Sequence, residues 1–122
     1  MEQQTRFQKL VAEAKGKIGE ISAEDARTEM AKNGAVLIDV READDWRAGH
    51  AEGAVHLSRG VIELEIEDAI SDVKKPIICY CGGGSRSALV TESLQKMGYE
   101  NVRSLAGGFR AWKEARLPTS TR

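Results

Sequence analysis

The chain has 122 residues, the size of one ordinary domain, and such a length buries about two-thirds of its unfolded surface without a metal or disulfide staple. Its 18 basic and 19 acidic residues leave a formal charge of -1, so no field of one sign is available for nucleic acid or an anionic membrane. No apolar run approaches the length of a membrane span, and the charged stretch Met1 to Lys17 lacks the apolar centre of a secretory signal.

Taken in chain order, Phe7, Leu10, Val11 and Ala14 fall at helical spacing and predict an amphipathic helix, with Gly16 and Gly19 at its end. A short strand is expected over Ile18 to Ile21. Ser22, with Asp25 three residues on, reads as the cap of a second helix that Asn33-Gly34 closes. Ala35 to Ile38 is an unbroken apolar run, suited to a strand covered on both faces. A short helix is expected near Ala43 to Ala48, and another strand over Ala54 to Leu57. The segment Val61 to Asp68 reads two ways: Ile62, Leu64 and Ile66 alternate with glutamates as in a strand, yet Glu and Leu favour helix. Pro76 to Tyr80 is the clearest strand. It leads into a glycine loop and a helix whose Leu94 and Met97 face the core, stopped by Gly98. Val102 to Leu105 predicts a last strand, Phe109, Trp112 and Ala115 a last helix, and Leu117-Pro118 the end of the domain. Short apolar strands alternating with helices imply an α/β domain with a mostly parallel, covered sheet.

The two cysteines, Cys79 and Cys81, would lie with Cα atoms about 6.6 Å apart in a strand, at the far edge of disulfide geometry. Free thiols in a reducing, cytoplasmic setting are therefore expected. Two cysteines and two scattered histidines make no four-ligand metal set, and no cofactor is called for. Cys81 ends a buried strand and is followed by Gly82, Gly83, Gly84, Ser85 and Arg86 before a helix. Ligands collect at the carboxyl ends of strands in such sheets. Glycines let successive amides turn inward as a nest, the helix start adds partial positive charge, and Arg86 adds a full one. All three favour a thiolate, so a nucleophilic Cys81 with an anion or sulfur cradle is expected. The bland reading, a packed cysteine before an ordinary turn, leaves the glycines and the arginine without a purpose. A phosphate-binding P-loop is excluded by the missing lysine.

Four segments in order resemble the rhodanese family. These are Leu37-Ile38-Asp39-Val40-Arg41-Glu42, Gly49-His50-Ala51-Glu52-Gly53-Ala54, Cys81-Gly82-Gly83-Gly84-Ser85-Arg86-Ser87, and Leu105-Ala106-Gly107-Gly108-Phe109-Arg110-Ala111-Trp112. The resemblance covers Ile18 to Leu117. It implies a rhodanese fold with a mostly parallel, five-stranded central sheet and helices on both faces. The domain is placed at residues 18–118, after a helical extension at 1–17 and before a frayed tail at 119–122.

The implied activity is sulfur transfer through a Cys81 persulfide. The donor is a small sulfur-containing anion such as thiosulfate, or a persulfide; the acceptor is cyanide, a thiol or a protein cysteine. Amides of Gly82, Gly83, Gly84, Ser85 and Arg86 are expected to hold the sulfur charge. Four residues separate Cys81 from Arg86, one fewer than in the related dual-specificity phosphatases, so phosphate or arsenate chemistry ranks behind sulfur transfer. A non-catalytic binding module is the other alternative, disfavoured by the intact cysteine loop.

Many thiosulfate-using relatives carry a large or charged side chain where this chain has Gly82, which points toward a persulfide or polysulfide donor. Arg59 is the candidate for the missing charge. Asp39 and Arg41 are expected to hold the active-site loop by charge-assisted hydrogen bonds. Cys79 is read as inert, His50 and His56 as hydrogen-bonding rather than basic, and Trp46 and Trp112 as core or rim aromatics.

Overall fold

The computed structural model describes residues 3–122. The elements run α1 (Arg6–Lys15), β1 (Gly19–Ile21), α2 (Ala23–Asn33), β2 (Val36–Asp39), α3 (Ala43–Ala48), β3 (His50–Ala51) and β4 (Val55–His56). They continue with α4 (Ile62–Ala69), β5 (Ile77–Tyr80), α5 (Ser85–Lys96), β6 (Val102–Leu105), α6 (Gly108–Glu114) and β7 (Thr119–Ser120). Local chemistry sets several of these boundaries. The Ser22 hydroxyl accepts from the Asp25 amide at 3.1 Å to open α2, and Gly34 closes it in the left-handed region at φ 67°.

Five strands form one sheet in the order β1-β6-β5-β2-β4, and every neighbouring pair is parallel. Successive residues of a strand point to opposite faces, and the core divides accordingly. Ile78 and Tyr80 of β5 join Leu37, Leu105 and Ile21 under α2 and α6. Ile77 and Cys79, with Cys81 continuing the alternation, join Ile38 and Val102 under Ile62 and Ile66 of α4 and Val90 and Leu94 of α5. Helices thus cover both faces, and β5 is buried along its whole length because it lies between β2 and β6. Each large aliphatic chain buried there contributes about 2 kcal/mol.

The ambiguous segment resolves as helix. Ile62 and Ile66, four apart, are fully buried while Leu64 is 82% exposed, which a strand alternation does not allow. The amphipathic face expected on α1 is only half used. Val11 and Ala14 dock against Ala88 of α5, while Phe7 and Leu10 remain exposed. The start of α1 is held by a reciprocal cap between Thr5 and Gln8. The tail expected to fray is instead tied down at Thr119 and Ser120, which pair antiparallel with Ala51 and His50. Pro118 explains this: its carbonyl accepts from the Trp112 indole at 2.7 Å and from the Glu52 amide at 3.0 Å, so the chain leaves α6 pointing along β3.

Candidate active site

β5 ends at Tyr80, and Cys81 follows at the carboxyl edge of the sheet, only 1% exposed. The chain then turns through Gly82 and Gly83 to Gly84, which caps α5 from the left-handed region at φ 99°. A side chain at Gly84 would also crowd the Gly107 amide at 3.3 Å, so this position requires glycine twice over. Gly82 and Gly83 have ordinary backbone angles, and a Cβ on either meets open space.

The loop closes on the cysteine sulfur. The Gly84 amide donates to Cys81 Sγ at 3.1 Å and the Ser87 amide at 3.4 Å, and Ser87 Oγ lies 3.4 Å from the same atom. Burial pushes the Cys81 thiol up, but the Ser87 hydroxyl and the amides of Ser87, Gly84 and Gly83 outweigh it and hold the thiol below its usual value. Cys79 shows the opposite balance two residues earlier on the same face. Burial dominates there and pushes its thiol up to about 12, which favours the neutral form.

A second set of contacts aims the loop amides. The Phe109 and Arg110 amides at the start of α6 donate to the carbonyls of Cys81 at 2.8 Å and Gly82 at 3.1 Å. In a trans peptide the C=O and the following N–H point opposite ways. Tying these two carbonyls to α6 therefore turns the Gly82 and Gly83 amides away from α6. Gly108 permits the approach, since a Cβ there would sit 2.5 Å from the Cys81 carbonyl oxygen.

Asp39 and Arg41 meet each other rather than the loop. Arg41 Nε and Nη2 bond the Asp39 carboxylate at 3.1 and 2.8 Å, and Nη2 also bonds the Gly49 carbonyl at 2.7 Å. Their link to Cys81 runs through Tyr80, whose hydroxyl donates to Asp39 Oδ2 at 2.6 Å and accepts from the Ala51 amide at 3.1 Å. The residue before Cys81 is thereby anchored, and burial together with the Asp39 carboxylate pushes the Tyr80 phenol up. The pair's contacts fall on the strand end and the Gly49 turn instead of the loop, because Asp39 lies beside Tyr80 in the sheet register.

Arg86 stands in the first turn of α5 and is half-buried; its guanidinium has no hydrogen-bond partner among the described residues, and the contacts that lower the Cys81 thiol come from Ser87 and the glycines. Arg59 is exposed, and only its amide is engaged, donating to the Val40 carbonyl at 3.0 Å. His50 stacks on Trp46 at 3.4 Å with Nδ1 on the Trp46 carbonyl, and His56 Nε2 meets the Arg41 carbonyl. Ser87, Ser104, Tyr80 and the α6 amides had no separate signal in sequence.

A family model described as Rhodanese-like domain matches residues 22–115, and the chain belongs to that family. A thiosulfate sulfurtransferase GlpE from Haemophilus influenzae is 40% identical over 93 residues, covering 76% of this chain and 87% of the relative. The polysulfide-sulfur transferase homodimer of Wolinella succinogenes superposes with a TM-score of 0.82 at 29% identity, over 95% of this chain and 88% of that one. A Rhodopseudomonas palustris protein of unknown function, described as a possible tyrosine phosphatase, superposes at 0.85 with 28% identity over 98% and 99% of the two chains.

Proposed function

We propose that this chain is a sulfurtransferase that carries sulfane sulfur as a persulfide on Cys81. The observation that carries the reading is the thiol itself: a buried sulfur held down by the Gly84 and Ser87 amides, in a loop with four residues before Arg86. In the first half-reaction the Cys81 thiolate attacks the outer sulfur of the donor. The donor's sulfur–sulfur bond breaks, its electron pair leaves with sulfite or a thiolate, and Cys81 keeps the outer sulfur as an anionic persulfide. An acceptor nucleophile then attacks that terminal sulfur, and the bonding pair returns to Cys81 as thiolate. The Ser85 and Arg86 amides, first-turn donors of α5 with no acceptor among the described residues, are the groups available to the terminal sulfur.

A persulfide or polysulfide fits the site better than thiosulfate. Gly82 presents no side chain to a sulfonate, and the Wolinella relative is a polysulfide-sulfur transferase. The open space beyond Gly82 makes the point testable. Gly82→Arg is expected to raise kcat/KM for thiosulfate about tenfold, the worth of one hydrogen bond to a charged group, while leaving polysulfide turnover within about twofold. Unchanged thiosulfate kinetics in that variant would remove Gly82 as the reason. We read residues 18–118 as the sulfur-transfer domain, with the N-terminal helix as a cover on α5. Two free thiols support a reducing, cytoplasmic setting, and among the described residues no helix is long and apolar enough to cross a membrane.

The direct test is intact mass spectrometry of the reduced protein after incubation with thiosulfate or polysulfide. Gain of one sulfur atom, absent in Cys81→Ser and discharged by cyanide as thiocyanate, is the expected result. No gain from any donor leaves a binding module, and turnover of a chromogenic phosphate ester instead would favour phosphatase chemistry.

A further inference from the structure

The mechanism above uses Ser87 but leaves unexplained a second hydroxyl behind it. Ser104 lies on β6, opposite Cys79 in the register, and is fully buried between Arg103 and Leu105. Its Oγ is 2.8 Å from Ser87 Oγ and has no other side-chain partner among the described residues. Ser87 Oγ in turn is 3.4 Å from Cys81 Sγ. We propose that Ser104 is a positioning residue of the sulfur-transfer site: its hydroxyl donates to Ser87 Oγ and so commits the Ser87 proton to the Cys81 sulfur.

Three buried atoms in a row, Sγ, Oγ and Oγ, make two contacts. With Cys81 as a thiol there are three protons for those two contacts, and one buried donor is left without an acceptor. With Cys81 as a thiolate there are two protons for two contacts, and both run toward the sulfur. The row is complete only in the anionic state. Without Ser104, the Ser87 hydroxyl loses its donor and can bond back to the preceding turn, as Thr91 does when its hydroxyl donates to the Ser87 carbonyl at 2.8 Å. Charges on the surrounding elements do not substitute for the row. Cys79 on β5 is neutral, Asp39 and Arg41 at the end of β2 are closed on each other, and Arg86 on α5 bonds no sulfur. On β6 Arg103 pairs with Glu29, and on α6 Arg110 is exposed and Lys113 lies over the Phe109 ring.

The proposal rests on Cys81 being the working thiolate but can be read without any sulfur donor. The experiment is the pH profile of Cys81 alkylation by iodoacetamide in the full chain, followed by mass spectrometry. Ser104→Ala is expected to move the midpoint up by half a unit to one unit, slowing alkylation at pH 7 about three- to tenfold, with the high-pH plateau unchanged. Ser87→Ala should shift it at least as far, and adding Ser104→Ala to Ser87→Ala should shift it no further. Ser104→Thr, which keeps the hydroxyl, should restore the midpoint. A midpoint unmoved in Ser104→Ala, or a Ser104→Ala shift that persists undiminished without the Ser87 hydroxyl, would overturn the proposal. If the wild-type chain takes sulfur from no donor while these shifts appear, the hydroxyl row stands and the sulfurtransferase reading falls.

Discussion

Gly108→Ala is expected to lower sulfur transfer about 100-fold and to destabilise the fold by about 3 kcal/mol. The methyl group would be placed 2.5 Å from the Cys81 carbonyl oxygen and 2.8 Å from the Gly82 carbonyl carbon and oxygen, in a residue at φ 58°. Those atoms are backbone and cannot swing aside, so α6 must retreat. Retreat breaks the Phe109 and Arg110 amide bonds to the two carbonyls, each worth about 1 kcal/mol, and adds left-handed strain of about 1 kcal/mol or more. The activity loss follows from the released peptide planes: the Gly83 amide no longer has a reason to face the sulfur. Gly107→Ala is the control. It also strains the backbone, at φ 75°, and its Cβ would meet the Ala111 Cβ at 2.7 Å, but it touches no loop carbonyl. Urea denaturation of both variants, alongside the Cys81 alkylation rate at pH 7, separates the two effects. Similar destabilisation with slowed alkylation in Gly108→Ala alone is the expected pattern; normal alkylation in Gly108→Ala would show that α6 does not aim the loop.

The second large effect lies at high pH and belongs to Cys79, the cysteine buried behind the loop. Cys79 holds its proton up to about 12 in the fold because it is buried, whereas an unfolded thiol ionises near 8.5. Between those values the folded state binds more protons than the unfolded one, so stability falls as pH rises, by about 1.4 kcal/mol per pH unit. At pH 10 this amounts to about 2 kcal/mol. Cys81 works in the other sense. Its folded thiol is depressed, so its contribution is complete above the unfolded value and is lost as pH falls through the folded one. Comparing wild type with Cys79→Ala isolates the first residue. The variant should be less stable by about 1–2 kcal/mol at pH 7, where it leaves a small cavity, and should match or exceed the wild type at pH 10. Parallel stability curves for the two proteins across that range would mean that Cys79 is not kept neutral by burial.

How much of this was legible beforehand varies with the range of the interaction. The strand Pro76 to Tyr80, the capped helix from Ser22 to Gly34, and the alternation of strands with helices all came from signals within a dozen residues, and each is present. Cys81 and its glycine loop were legible because a cysteine, three glycines and an arginine fall together in the chain. Val61 to Asp68 was not, because period-two and helical patterns coincide over so short a run; burial of Ile62 and Ile66 against the sheet decided it. The tail was misjudged for a different reason. Its composition is that of a loose end, and only the return of the chain past Trp112 brings Thr119 and Ser120 beside β3.

The sequence by itself determined an α/β domain of parallel strands and pointed to one cysteine at a strand end as the candidate nucleophile, since hydrophobic periodicity and glycine placement are local properties. The tertiary structure alone decided what stabilises that cysteine. Hydrogen bonds act over about 3 Å and are blind to chain distance. The α6 amides come from residues 109 and 110, and Ser104 lies 17 positions after Ser87. Arg86, the charge nearest in sequence, bonds no sulfur, while a serine one residue later and its buried partner on β6 line up behind it.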